Sequence, residues 1–220
     1  KFNPFYVYVA EESIDPYLCY RILYPGFESW SQMKLIQRSL QSFEEESVIE
    51  NQLLKDNCMN CHTFLKNDPE RFFIHVRGSV KGTYFVEGEQ VVRKLLRTDE
   101  MTANAVYPAW HPSGRFIVFS SNEIGQAFPM HGGKMIEVYD QSARLVIYNN
   151  QTHKISAVED SISSDYMETF PCWSPCGEWL YYVRTRKPIG SYNLRNIKFD
   201  LVRRSFDAEN GRFSKPETVF

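Results

Sequence analysis

No apolar run in this chain is longer than a strand, so nothing in it reads as a transmembrane span. Charge of one sign is missing too. Lysine and arginine number 25 against 27 acidic residues, scattered along the sequence, for a net charge of −2 and a pI near 6.3. That leaves neither the basic footprint of nucleic-acid binding nor a polybasic membrane patch. Catalytic signatures are also absent: there is no G-x-S-x-G elbow, H-E-x-x-H, P-loop or dinucleotide fingerprint. The acidic runs Glu44-Glu45-Glu46 and Glu159-Asp160 read as solvated charge. Helical signals are few. Ser42-Phe43-Glu44-Glu45 resembles a capping box, with Val48, Ile49, Leu53 and Leu54 as a helix face, and predicts one short helix. The chain starts at Lys1 with no leader, so it reads as a mature or trimmed segment and secretion stays open.

Aromatic residues, by contrast, are plentiful at 15%. Short β-branched and aromatic runs recur between turn residues, which points to an all-β fold. Strands are expected at Phe5–Ala10, Tyr17–Tyr24 and Met33–Leu40. Phe72–Val76, Gly82–Val86 and Val91–Leu96 then follow in quick succession as a meander. Leu145–Tyr148, Ile155–Val158 and Phe199–Arg203 continue the pattern, and Asn210-Gly211 is a hairpin turn.

One pentapeptide carries chemistry. Cys58-Met59-Asn60-Cys61-His62 is C-x-x-C-H, the spacing used to attach c-type haem. Two thiols bond the porphyrin's vinyl groups, and the adjacent histidine supplies an axial nitrogen to the iron. Three other uses of the pair stay open: a disulfide, half of a zinc site with Cys172 and Cys176 as a distant partner pair, or a thiol redox motif. Five cysteines make an odd count, and the pairing of Cys19, Cys172 and Cys176 is not legible.

A repeat organises the second half. Tyr107-Pro108-Ala109-Trp110-His111-Pro112-Ser113-Gly114, with its strand to Phe119, matches Phe170-Pro171-Cys172-Trp173-Ser174-Pro175-Cys176-Gly177, with its strand to Tyr182, 63 residues later. Each Pro-x-Gly piece turns into an aromatic-rich strand, and each copy opens a four-stranded antiparallel unit, a propeller blade. The strand at Phe72 precedes its counterpart at Phe116 by 44 residues. The 63-residue period is therefore about 20 residues longer than one blade needs, and the excess fits an inserted loop over 123–143. The expected layout is a β-rich segment with a short helix over 1–57, and a haem-motif segment with a partial blade over 58–98. A blade with the inserted loop follows over 99–160, and a second full blade over 161–220.

The two repeat copies resemble the TolB-type propeller repeat, Pro-x-Trp-Ser-Pro-Asp-Gly. Tyr20-Arg21-Ile22 with Pro25-Gly26, Gln37-Arg38, Ile49-Glu50-Asn51, Asn60-Cys61-His62-Thr63-Phe64 and His75-Val76-Arg77-Gly78 are similar to a group of TolB-like envelope proteins of Gram-negative bacteria. Many members of that group carry C-x-x-C-H in the same place. The resemblance runs from about Tyr17 to Tyr182. It implies a six- or seven-bladed propeller, in the periplasm or at the outer membrane, of which this chain is an incomplete N-terminal part. His111 departs from the repeat's serine and Cys176 from its aspartate.

With haem bound, His62 is the proximal ligand by adjacency. His111 is the first choice for the opposite side, ahead of Met101, Met130, His131, Met135 or solvent. Phe64, Phe72, Phe73 and Tyr84 are candidates for the pocket wall, and Arg71 and Arg77 for the propionates. Taken together, these readings describe a periplasmic TolB-like propeller with one covalent haem c, acting in electron transfer or redox sensing with a redox or envelope-protein partner. The alternative is a non-redox binding module for an envelope protein, a peptidoglycan-associated partner or a glycan, in which Cys58 and Cys61 are structural. Nothing in the sequence calls for an enzyme. A haem-dependent peroxidase would need an open sixth position and a nearby acid–base group.

Overall fold

A computed structural model describes residues 6–9, 11, 13–22, 32–51, 57–98, 101, 105–127, 137–158, 165–187 and 197–219. Among these the chain is all-β, with sixteen strands and no α-helix. It divides into two compact units, Lys1–Lys55 and Asp56–Phe220.

In the first unit, β1 (Tyr17–Ile22), β2 (Lys34–Ser39) and β3 (Glu45–Glu50) form one antiparallel sheet in that order. The helix expected after Ser42 is instead β3. Phe43 takes a left-handed φ of 63°, and the Ser39 hydroxyl accepts the Gln41 and Ser42 N–H groups, so the segment turns back as a hairpin. Its acidic residues then meet β2 across the ladder, Arg38 with Glu45 at 3.3 Å and Lys34 with Glu50 at 3.0 Å. The capping-box glutamate is used between strands rather than within a turn of helix. Of the opening run, Tyr6–Val9 is exposed and outside any strand, while Phe5 and Ala10 lie outside the described residues.

The second unit holds three blades. β4 (Asn57–Leu65), β5 (Asp68–Gly78), β6 (Gly82–Glu87) and β7 (Gln90–Lys94) make the first, so the segment expected to be a partial blade is a complete one. β8 (Ala105–Trp110), β9 (Phe116–Ala127), β10 (Glu137–Asn149) and β11 (Lys154–Ala157) make the second. The third contains β12 (Tyr166–Trp173), β13 (Trp179–Arg186) and β14 (Asp200–Asp207), with β15 (Arg212–Phe213) and β16 (Glu217–Thr218) sharing the edge of β14. Apart from β16, which pairs with β14, every neighbour in these sheets is a sequence neighbour, as in the up-and-down blades of a propeller. The inserted loop is largely a ladder. β9 and β10 stay paired from Phe116–Asn149 out to Ala127–Glu137, broken by one bulge between Asp140 and Ser142. Residues 128–136 lie outside the described residues.

A sheet can bury both faces only if something covers each, and the middle blade shows how this chain does it. On β9, Ile117 and Phe119 pack with Phe73, Phe85, Val146 and Tyr148 against the first blade. Phe116 and Val118 pack with Leu145, Ile147, Leu180, Tyr182 and Val202 against the third. The run Phe116-Ile117-Val118-Phe119 therefore has no polar alternation, because neither side meets water. Phe73 is fully buried among the rings of Phe85, Trp110 and Phe119. Truncating Phe73 to alanine should lower unfolding free energy by about 3–5 kcal/mol, read from a urea or guanidinium transition. A loss below about 1 kcal/mol would contradict this packing.

Candidate functional site

The first strand of each blade carries the same irregularity. Between Met59–Val76 and His62–Ile74, β4 gains one residue on β5. β8 does so between Val106–Ser120 and Ala109–Val118, and β12 between Thr169–Val183 and Cys172–Tyr181. These bulges are structurally equivalent, so Asn60-Cys61-His62-Thr63 occupies the place of Tyr107-Pro108-Ala109-Trp110 and Phe170-Pro171-Cys172-Trp173. In the second and third blades the bulge holds an aromatic residue in the left-handed region, with Tyr107 at φ 46° and Phe170 at φ 55°. Bulky residues seldom adopt that conformation, and such strain concentrates at functional sites. Their rings pack together with centroids 4.5 Å apart, and Phe170 is half exposed.

The bulge also decides how the C-x-x-C-H motif is displayed. In an unbroken strand, positions three apart lie on opposite faces. The extra residue cancels that alternation, so His62, opposite Ile74, shares the face of Met59, opposite Val76, and Cys61 lies within the bulge. The His62 ring is edge-on to Phe64 at 5.9 Å, and Phe64 packs on Phe72 at 5.2 Å. Cys61 is a half-buried free thiol.

His75 is a residue that sequence reasoning missed. It stands opposite the bulge, buried, with Nδ1 3.2 Å from the Thr83 hydroxyl and Nε2 buried without a hydrogen-bond partner. Burial first, and the nearby Arg77 second, push its pKa down to about 4. Its sequence signals were only the His75-Val76-Arg77-Gly78 stretch of the resemblance and a place beside Ile74 and Val76 on an apolar strand, which reads as ordinary core. Close by, the Tyr107 hydroxyl is pushed up by burial, with Asp140 and Cys61 adding to the rise and Arg77 opposing it. Asp140 is itself raised by burial, against a hydrogen bond from Asn122 that lowers it. The bulge row thus joins a thiol, an imidazole, a phenol, a carboxyl group and a guanidinium.

His111 lies elsewhere, at the turn where the second blade meets the third. Its Nε2 is 3.0 Å from the Gly177 carbonyl, and its Nδ1 is within 3.1 Å of the Ser113 N–H and 2.7 Å of the Ser113 hydroxyl. A carbonyl only accepts and an amide N–H only donates, so His111 is the neutral Nε2–H tautomer with both nitrogens engaged. Binding iron would cost it these bonds. Its ring also packs edge-on to Trp173 at 4.8 Å, and a Cβ at Gly177 would stand 2.5 Å from Nε2. Met101 is buried in the core between the first two blades. Met130, His131 and Met135 lie outside the described residues. Phe73 faces the interblade core, Tyr84 donates to the Val80 carbonyl at 2.8 Å, and Arg71 pairs with Glu87 at 3.1 Å. Cys172 and Cys176 are exposed free thiols, and no group of three metal-ligating side chains gathers among the described residues.

No family model and no curated protein matches this chain. Solved structures do. A puromycin-hydrolysing peptidase of Mycobacterium tuberculosis superposes with TM-score 0.54 at 12% identity, over 93% of this chain and 27% of that one. Prolyl oligopeptidase B of Galerina marginata gives TM-score 0.50 at 13% identity, over 86% and 28%. TolB of Acinetobacter baumannii, at TM-score 0.36 and 10% identity over 93% and 52%, superposes too loosely to bear on the fold. The likeness is one of β-propeller fold, and the chain spans just over a quarter of the length of the first and second of these proteins.

Two outcomes follow from these imidazoles. In the unfolded chain a histidine titrates near 6.5, while folded His75 titrates near 4. The unfolded state therefore binds the extra proton first, and stability contributed by neutral His75 should fall as pH drops from about 6.5 to about 4, by roughly 3 kcal/mol at most. Histidine NMR titration alongside denaturant melts at each pH reads both halves; a His75 resonance titrating near 6.5 would refute it. His111→Ala should cost about 2–3 kcal/mol in a denaturant melt by leaving the Gly177 carbonyl unpaired and a hole beside Trp173.

Proposed function

We propose that the chain is part of a periplasmic TolB-like propeller that carries one haem c on Cys58, Cys61 and His62, and serves electron transfer or redox sensing. The observation that carries this reading is the replacement at the first bulge. Two blades build the same feature from an aromatic residue, proline, a small residue and tryptophan, so the fold does not require cysteine and histidine there. Cys58 and Cys61 would form the thioethers and His62 would supply an axial nitrogen. Bound there, the haem would supply a one-electron couple tuned by its axial ligands and burial. The protein's own part is to present Cys61 and His62 at a break in the ladder and to keep His75 neutral opposite it. His62 must give up its packing on Phe64.

The aromatic pair at the next two bulges favours a second reading. Tyr107 and Phe170 put a strained, half-exposed aromatic surface beside Cys61, suited to a binding module for an envelope protein, a peptidoglycan-associated partner or a glycan. In that case Cys58 and Cys61 are structural.

Secreting the protein with a cytochrome c maturation system separates the two. The haem reading expects red protein, a pyridine haemochrome band and a haem-sized mass increment, with Cys61→Ser shifting the haemochrome band as one thioether is lost. Colourless protein under those conditions, with Cys58 and Cys61 disulfide-linked, would sink it and leave the binding module.

A further inference from the structure

A cleft of about 290 Å³ opens between the first blade and the second, lined by residues of all four strands of the first. Its floor and walls include Leu65, Phe85, Val92 and Trp110, and Lys94 and His153 line it as well. The volume sits at the lower end of the range for small-molecule sites.

The lysine is set up in an unusual way. Lys94 Nζ lies over the Phe85 ring at 4.6 Å and the Tyr148 ring at 5.2 Å. It donates to the Tyr148 hydroxyl at 2.7 Å and lies 3.3 Å from His153 Nδ1, and that hydroxyl lies 2.8 Å from the same nitrogen. His153 stacks on Tyr148 and holds a left-handed φ of 57° in the turn between β10 and β11. The ammonium group's hydrogen-bond and ring partners are thus a phenol, an imidazole and two aromatic faces, with no carboxylate among them. The cleft's one carboxylate among its lining residues, Glu87, is already paired with Arg71 at 3.1 Å. Burial pushes the Lys94 pKa down, with Glu87 opposing more weakly. A partly desolvated cation held this way costs free energy until an anion joins it.

Trp110 lines the same space, and its indole N–H is buried without an acceptor. Its repeat counterpart, Trp173, gives its N–H to the Ala109 carbonyl at 3.1 Å, so the repeat has an internal solution that Trp110 does not use. An ammonium with no carboxylate hydrogen-bonded to it and an indole lacking an acceptor thus belong to residues that line one cleft of mixed polar and apolar surface.

We propose that this cleft is a binding site for a small organic carboxylate with a flat apolar body. The carboxylate would take the Lys94 ammonium and the Trp110 N–H, and the body would lie against Leu65, Val92 and the indole. The site does not rest on the haem reading, and would persist in protein without haem.

Benzoate, with benzamide as its neutral isostere, tests this by NMR. The Trp110 indole N–H resonance is first identified with Trp110→Phe. Benzoate should shift it saturably, benzamide at the same concentrations should not, and Lys94→Met, which keeps the stem and removes the charge, should weaken benzoate at least tenfold. No shift with benzoate, equal shifts with benzamide, or undiminished binding by folded Lys94→Met would each overturn the proposal. If that variant does not fold, the comparison of the two probes on the unaltered chain still decides.

Discussion

A four-stranded sheet has two faces, and one blade can satisfy neither alone. The structure of the second unit rests on that constraint. The middle blade fills both interblade cores from alternate residues of one strand, with Ile117 and Phe119 to one side and Phe116 and Val118 to the other. Because each core is shared, losing a ring such as Phe73 weakens two sheets together. The junction at the turns is polar but obeys the same logic. His111 crosses from one blade to the carbonyl of Gly177 in the next, where the left-handed glycine leaves room for the ring.

Stacking of this kind explains why the blades differ from one another at the bulges. Interior positions of a blade are consumed by packing, so variation without loss of the core is confined to where the ladder is already broken. The first bulge exchanges the repeat's residues for Asn60, Cys61 and His62, and the next two keep strained aromatic residues. The cleft beside Lys94 is a second exception of the same type. There Trp110 gives up the internal hydrogen bond that Trp173 retains, and an apolar wall is left with an unpaired donor.

Much of the fold was legible because strand signals are local. The meander from Phe72 to Leu96, the paired repeats and the Asn210-Gly211 turn all form where their turn residues and alternation place them. The short helix failed for an equally local reason. Ser-Phe-Glu-Glu fits a capping box and a hairpin alike, and cross-strand partners on β2, absent from any local window, decided between them. The extra residues after Glu123 read as a loop because a long two-stranded ladder with a bulge has no distinctive short-range pattern.

For the candidate site, the sequence by itself determined the C-x-x-C-H spacing of Cys58, Cys61 and His62, since it is written in five adjacent residues. It also determined the blade repeat, whose turn and strand signals lie within a dozen residues. Only the tertiary structure decided where the ladder breaks within that motif. A single inserted residue in β4, visible only against its partner β5, puts Cys61 in the bulge and His62 on the face of Met59. Pairing across sheets likewise engaged both nitrogens of His111 and left Nε2 of His75 buried and unpartnered, because hydrogen bonds between residues up to 66 positions apart cannot be read from either neighbourhood alone.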